Sequence, residues 1–473
     1  MAVLKTKPGE DGRDDIFRVR YVAGGHKQVE GVDYSEMFAA AAKMPSFRVI
    51  LGNAAQEDWE IHQVDVKSAY LNAPLEETVY MVAPPGVLKP GQEGMVCHLK
   101  KGLYGLKQAG QGWQKMLTSV FVNDLGFKCS AVDHSVFIRK RDKEHTVVAV
   151  ATDDMALTSK RISDVIGFKS ELWEHFDITD LSKMSHFLGF AVRCDRSARI
   201  IAINQETYIE TLAERFRLTN IKPVTTPMEP GVQFSKEQGP STPMQIARMK
   251  GVPYSEAIGS ILWPVMVSRP DAAFAVSTLS QFIQNPGPAH WEGVKRVIAY
   301  LLATKHHWLT WGGRGGNIVE AYSDADWGGQ VDRHSISGYS FHMGQGAVTW
   351  SSKKQHIIAL SSTEVEYIVQ THAAKEALWI RTFIGEFRDG FGSLPVPINC
   401  DNQGAIALAK DNKFHMRTKH IDLRYHFICE AVEDSKIELN YIPTNDNAAD
   451  IFTKALAKGK FRIFAGLLGL CKG

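Results

Sequence analysis

Thr146-Val-Val-Ala-Val-Ala-Thr-Asp-Asp-Met-Ala-Leu157 places two adjacent acids, Asp153 and Asp154, in an otherwise apolar run that reads as strand. Burying carboxylates costs several kcal/mol unless something cationic compensates, so the pair belongs at a strand turn facing a metal or a partner charge. Alone the dipeptide is a weak signal, because two acids at a turn also describe a solvated hairpin tip. A second acid in a matching setting adds weight. In Ile61-His-Gln-Val-Asp-Val-Lys-Ser-Ala-Tyr70, Asp65 interrupts another short apolar strand directly before the helix-compatible Ser68-Ala69-Tyr70-Leu71. Two acid-bearing strands side by side make a carboxylate cluster able to hold two divalent ions ~3.5 to 4 Å apart. Nucleotidyl transfer requires this arrangement: one ion lowers the pKa of a 3′-hydroxyl, and both stabilise charge at phosphorus.

Three segments, Asp65-Val-Lys-Ser-Ala-Tyr-Leu-Asn72, Leu103-Tyr-Gly-Leu-Lys-Gln-Ala109 and Thr152-Asp-Asp-Met155, resemble the reverse transcriptase of copia-type LTR retrotransposons. The similarity runs from about Asp11 to the C-terminus, because a downstream block is similar to the ribonuclease H of the same elements, and several motifs in order are more specific than any one. The resemblance implies an α+β chain: a right-hand polymerase followed by a ribonuclease H-like α/β domain. Fingers and palm would occupy residues 1–204, a helical thumb and connection 205–315, and the ribonuclease H-like domain 316–473. It implies Asp65 and Asp153 as metal ligands with Asp154 in support, and Mg2+ as the ion, with Mn2+ able to replace it. Tyr70, five residues after Asp65, resembles the aromatic gate under the incoming sugar, although a half-buried tyrosine starting a helix is the plain alternative. Arg20 resembles the fingers residue that holds triphosphate, a task that suits the bidentate guanidinium. Tyr104 and Gln108 align with the strip around the nucleotide, and His186-Phe-Leu-Gly189 looks like the primer-gripping hairpin.

A length of 473 residues suits about three domains, and 44% hydrophobic content supports buried cores. No apolar stretch approaches the ~20 residues that span a bilayer, and the N-terminus lacks a basic-then-apolar signal. The expectation is a soluble, intracellular protein, cytoplasmic in a virus-like particle and also nuclear, with no membrane partner. Cys97, Cys129, Cys194, Cys400, Cys429 and Cys471 form no CxxC pair or metal-ligand spacing, and read as reduced and mostly structural. A net charge of +2 does not establish a nucleic-acid ligand. Local basic clusters could neutralise phosphates or simply be solvated faces: Lys100, Lys101 and Lys107; Arg139, Lys140, Arg141 and Lys143; Lys353 and Lys354; Lys413, Arg417 and Lys419.

Helical periodicity is expected from Gln205 to about Leu218, then a Pro- and Gly-rich linker or long loop from Glu229 to Pro253, then helices at 255–267, 271–284 and 288–304. Pro264 should kink the first of these three or end it early. From about Ile318 the expected order is strand, strand, strand, helix, strand, helix, helix, strand, helix, with a hairpin turning at Gly344-Gln-Gly346. Residues 316–473 have enough strands and helices to fold alone.

This block carries a second set of acids. Asp324 ends a strand, Asp401 follows Pro397-Ile-Asn-Cys400, and Asp450 begins an expected helix at 448–457. Ser361-Ser-Thr-Glu364 is a capping box that commits Glu364 to the helix start. Glu366, roughly 200° further around the helix, is left as the candidate ligand. Asp324, Glu366, Asp401 and Asp450 match the ribonuclease H carboxylates as the resemblance carries them; Asp326 rivals Asp324, but the earlier acid of Ser-Asp-Ala-Asp-Trp aligns with the catalytic one. The cellular enzymes' histidine loop is here Pro443-Thr-Asn-Asp-Asn447, and His420 and His426 read as packing or interface residues.

Four departures from the family pattern stand out: Ala151 and Thr152 before the Asp pair, Gly110 for a proline, which would loosen the turn before Trp113, Gly24 for a lysine, and a short stretch upstream of the fingers motif. The reading is an RNA-directed DNA polymerase with ribonuclease H activity, using an RNA template, a DNA primer, deoxynucleoside triphosphates and RNA/DNA hybrid. The alternative is a catalytically impaired retrotransposon remnant, or a domesticated non-catalytic nucleic-acid-binding protein.

Overall fold

The computed structural model describes residues 2–7, 16–312, 318–410 and 422–473. The chain divides into two compact units, Met1–Lys43 with Ile61–Lys183 and Met44–Glu60 with Met184–Gly473. Among the described residues no helix is long and apolar enough to cross a membrane.

The first unit is built on a six-stranded sheet of β1 (Glu60–Val66), β2 (Lys128–Cys129), β3 (Val136–Arg141), β4 (Glu144–Ala151), β5 (Asp154–Ser159) and β6 (Ile178–Lys183), in the order β6-β1-β5-β4-β3-β2. Thr146–Leu157 forms most of β4, the turn after it and the start of β5, and His145 to Val150 are all buried, as a central strand covered on both faces requires. Helices α1 (Ala109–Ser119) and Ile162–Trp173 contribute Trp113, Leu117, Phe168 and Leu172 to one core with the strand residues Val64, Phe137, Val148 and Leu157. At its centre Phe121 lies 4.6 Å from Phe137 and 5.2 Å from Phe127, in tilted ring pairs that add specificity to area burial. Gly110 lies inside α1, so the expected loosening before Trp113 does not occur; a Cβ there would stand 3.1 Å from that of Ala39, close enough that one of the two would have to give by a few tenths of an ångström.

The second unit holds two five-stranded sheets. One runs His186–Phe187, Phe190–Asp195, Ile200–Asn204, His307–Gly312, Leu470–Lys472. Its first hairpin turns at Leu188 and Gly189, both at positive φ, the backbone a tight two-residue turn demands. The other comprises β7 (Glu320–Asp326), β8 (Ile336–Met343), β9 (Gly346–Lys354), β10 (Val396–Cys400) and β11 (Ile437–Tyr441), ordered β9-β8-β7-β10-β11. The three-strand meander is antiparallel, while β10 and β11 join in parallel. Helix α2 (Ser362–Gly385) packs against β7 and β8, and α3 (Lys458–Leu467) follows β11. The strands and helices from β7 to α3 follow the order read from the sequence.

Several local expectations change. The helix Tyr254–Val267 runs through Pro264 and ends a turn later. The ring deprives the Ser260 carbonyl of its helical donor, and the Tyr208 hydroxyl donates to that carbonyl instead at 2.9 Å. The expected linker contains a helix, Pro243–Met249, started by a Thr242/Gln245 capping box. The 271–284 helix shortens to Ala273–Ser280. No helix spans 448–457: Ala448–Phe452 is a 3-10 turn buried on every side, which a one-faced surface helix cannot be, and α3 begins at Lys458. Residues 316–473 are not self-contained either. Leu470–Lys472 pairs with His307–Leu309, the Val348 carbonyl accepts from Arg48, and the Trp350 indole donates to the Val265 carbonyl.

Candidate active sites

Strands β4 and β5 are joined by a two-residue turn, with Ala151 paired to Asp154 across it. Its first central residue, Thr152, has φ 62, a position that favours glycine; a β-branched side chain there costs on the order of 1–3 kcal/mol. Trp113 holds the strained turn by donating its indole N–H to the Thr152 carbonyl at 2.7 Å, with its ring set edge-on to Phe176 at 5.1 Å. The Val66 amide donates to the Asp153 carbonyl at 2.9 Å, tying the turn to β1. Asp65 and Asp153 line one cavity of about 470 Å³, together with Arg20, Lys67, Ser68 and Tyr104.

Asp154 faces a different environment. Its Oδ1 accepts from Gln63 Nε2 at 3.1 Å, and burial raises its carboxyl above the usual range, with the charge of Asp153 adding to the effect. The guanidinium of Arg20 lies 5.3 Å from the Tyr104 ring, which is 4.7 Å from that of Tyr70. Burial and the Asp153 charge raise the Tyr104 hydroxyl, and Arg20 opposes them. Tyr70 itself lines a neighbouring cavity with Ala39, Gly110 and Trp113. Gln108 is buried and lines a different cavity from Asp65 and Asp153, accepting from Gln28 Nε2 at 3.0 Å and donating to the Asp33 carbonyl at 2.8 Å. Trp113 carries no sequence signal for fixing the acid-bearing turn, because no local pattern links positions 113 and 152.

In the second unit Asp324, Glu366 and Asp401 offer ligand atoms that all lie within 4.8 Å of one another, the one such acid group among the described residues. Parallel pairing explains two of them: the register Ala321↔Ile398 and Tyr322↔Asn399 carries Asp324 to the level of Asp401. The capping geometry explains the third. Ser361 Oγ accepts from the Glu364 amide at 3.2 Å and Glu364 Oε2 accepts from the Leu360 amide at 2.8 Å, so Glu364 turns back to the helix start. Glu366 turns inward. Its Oε1 accepts from the Ala325 amide at 3.1 Å, while its Oε2 is buried and has no hydrogen-bond partner. Burial first, then the charges of Asp324 and Asp401, push the Glu366 carboxyl well above its usual range. Burial raises Asp324 too, and Lys454 offsets only part of the effect.

Asp450 stands outside this group. It is fully buried, with Oδ1 2.8 Å from Lys454 Nζ and Oδ2 2.6 Å from Lys460 Nζ. Lys454 Nζ is also 3.7 Å from Asp324 Oδ2, to which the Thr453 hydroxyl donates. Asn447, buried in the loop where a histidine is missing, donates to the Ser323 carbonyl at 2.9 Å and seats this turn against β7. Asp326 lines a separate small cavity with Gly329 and Lys454.

Several of the basic residues singled out in the sequence are engaged internally. Arg139 is buried and, like Arg141, paired with Glu171; Lys107 donates to the Tyr34 hydroxyl at 3.0 Å; Lys354 pairs with Asp332. The 413–419 cluster and His420 lie outside the described residues, as does the side chain of His426.

A family model described as reverse transcriptase (RNA-dependent DNA polymerase) matches residues 2–230. The transposon Ty5-1 protein of Saccharomyces cerevisiae is 30% identical over 318 residues, and the match covers all of that protein and 66% of this chain. This chain belongs to the copia-type retrotransposon reverse transcriptases. The retrovirus-related Pol polyprotein from transposon TNT 1-94 of Nicotiana tabacum is 39% identical over 99% of this chain and 35% of its own length. The chain thus spans about a third of the length of the plant Pol polyproteins it matches. A foamy viral protease-reverse transcriptase structure in complex with RNA/DNA hybrid covers 94% of this chain and 50% of its own, at 12% identity and a TM-score of 0.48.

The cluster fits a hard divalent cation. Its donors are all carboxylate oxygens, the set that suits magnesium or manganese, and Glu366 Oε2 is a buried acceptor without a hydrogen-bond partner. A linkage consequence follows. Asp324 and Glu366 hold protons more tightly folded than unfolded, so metal-free stability is undiminished below the ordinary carboxylate range, about pH 4, and falls as pH rises toward their raised values. Added Mg2+ is therefore expected to raise the melting temperature more at about pH 8 than at about pH 5. Thermal melts with and without Mg2+ at both values check this; equal shifts would count against it.

Proposed function

We propose that the chain performs RNA-directed DNA synthesis at the Asp65/Asp153 cavity and hydrolyses RNA in RNA/DNA hybrids at the Asp324/Glu366/Asp401 cluster. In this reading residues 1–204 are fingers and palm, 205–315 thumb and connection, and 316–473 the ribonuclease H-like domain. The observation that carries it is the presence of two separate acid sites in one chain of this family, each at the end of a strand and each with a distinct polar surround.

At the polymerase cavity Asp65 and Asp153 would hold the ions, whose chemistry is to acidify the primer hydroxyl and neutralise phosphate charge. Arg20, braced on Tyr104, offers a guanidinium to the triphosphate of the incoming nucleotide. Tyr70, in ring contact with Tyr104, would limit room at the sugar. At the cleavage cluster Asp324, Glu366 and Asp401 would hold the ion, and Thr453 orients Asp324 through its hydroxyl.

Primer extension on an RNA template and cleavage of a labelled hybrid, both with Mg2+ and the full chain, test the reading; a folded chain that does neither would be the non-catalytic relic. Trp113→Phe adds a finer check. It keeps a ring against Phe176 but deletes the hydrogen bond to the Thr152 carbonyl, worth about 0.5–1.5 kcal/mol in general. Extension is expected to fall severalfold while hybrid cleavage stays at the parental level, measured on the same preparation. Unchanged extension would show that the strained turn holds without the indole.

A further inference from the structure

We propose that the cavity beneath residues 221–238 binds a small amphiphilic anion, with an apolar body and a carboxylate that Arg296 receives. The site shares no lining residue with the Asp65/Asp153 cavity and includes none of the clustered acids Asp324, Glu366 and Asp401. It goes beyond both proposed activities and depends on neither.

The segment is built as a strap over one face of the helix Pro288–Ala303. His290, fully buried on that helix, holds one end. Its Nδ1 accepts from the Gly287 amide at 2.8 Å, which leaves Nε2 to donate to the Ser235 carbonyl at 3.1 Å. The bare Gly293 lets Phe234 lie against the helix, because a Cβ there would stand 2.8 Å from the Phe234 ring. Arg296 holds the other end, with Nη1 donating to Glu229 at 2.6 Å and Nη2 to the Thr226 hydroxyl at 3.1 Å. Between these points the strap stands clear of the helix and leaves a cavity of about 680 Å³, within the size of small-molecule sites. Pro227, Met228, Val232 and Phe234 of the strap and Ala289 and Ala299 of the helix make its wall largely apolar.

Arg296 supplies the head-group recognition. Its Nη1 and Nη2 are engaged, but its Nε is a buried donor without a hydrogen-bond partner. A buried donor left unpaired is costly, and a carboxylate laid along the Nε–Nη2 edge would satisfy it with charge-assisted bonds. The charges on the wall favour an anion as well. Lys222, Lys295 and Arg296 outnumber Glu229 and Glu292, and each of those acids is already paired, with Arg296 and Lys295 respectively. A nucleic-acid backbone would bring phosphate but no apolar body for this wall, whereas a short acyl or aryl carboxylate brings both.

The test is isothermal titration calorimetry of the full chain with octanoate, 1-octanol and acetate. One octanoate per chain is expected, with 1-octanol weaker by about tenfold or more and no detectable binding of acetate. Arg296→Met keeps an aliphatic stem without a donor and should bring octanoate down to the level of 1-octanol. Ala289→Trp sets a ring into the cavity from an exposed helix position and should abolish octanoate binding. The proposal is overturned by no octanoate binding to the unsubstituted chain, by 1-octanol or acetate binding as tightly, or by undiminished octanoate binding in either folded variant. If Arg296→Met does not fold, the three-probe comparison and Ala289→Trp decide.

Discussion

Glu366→Gln is expected to abolish magnesium-dependent hybrid cleavage while making the metal-free protein more stable. The carboxyl is buried against Asp324 and Asp401, and its Oε2 has no partner. Removing a ligand from such a site should cost several kcal/mol of transition-state stabilisation, and at ~1.4 kcal/mol per tenfold the loss is at least about a hundredfold. The same substitution removes a like charge from a crowded acid cluster and supplies amide donors in its place. Each kcal/mol of relieved repulsion should raise the metal-free melting temperature by about 1–2 °C. Lost cleavage with a raised melting temperature separates a ligand from a structural acid, whose replacement would lower both. Asp401→Asn should likewise be effectively inactive. Primer extension by either variant should match the parent, and a parallel fall in extension would point to general misfolding.

Asp153→Asn is expected to eliminate extension, whereas Asp154→Asn retains part of it. The two neighbours sit differently. Asp153 is on the turn that lines the cavity with Asp65, and Asp154 is the first residue of β5, bonded to Gln63. An amide at 154 can keep a hydrogen bond with Gln63, but an amide at 153 removes the charge an ion would need. Extension equal to the parent in Asp153→Asn would refute the polymerase site. Of the two activities, cleavage should be the more robust. The departures from the family pattern lie before residue 265, and one of them is Thr152, whose side chain strains the turn that presents Asp153. Extension without detectable cleavage by the unsubstituted chain would reverse that ranking.

Much of this was legible because short-range physics wrote it into the chain. A β-run interrupted by acids gave the β4–β5 turn, and alternation of strand and helix periods gave the element order from β7 to α3. The capping box told Glu364 from Glu366, since both the cap and the turn of the helix are local. Pro264 shows the limit of the same reasoning. The lost donor was evident from sequence, but the Tyr208 hydroxyl that compensates for it comes from 52 residues away.

What tertiary structure alone decided were the partners of charged and strained groups. Arg139, open in sequence to a phosphate contact or a solvated face, is buried against Phe127 and Glu171; Asp450 lies beside the ammonium groups of Lys454 and Lys460; Thr152 is held by an indole 39 residues earlier; the last strand pairs with His307–Leu309. Periodicity specifies which face of an element is buried. It carries no information about which distant side chain will meet that face, because the pairing is set by sheet register and helix packing once the chain has closed, and a charge takes whichever compensating group those contacts bring within reach.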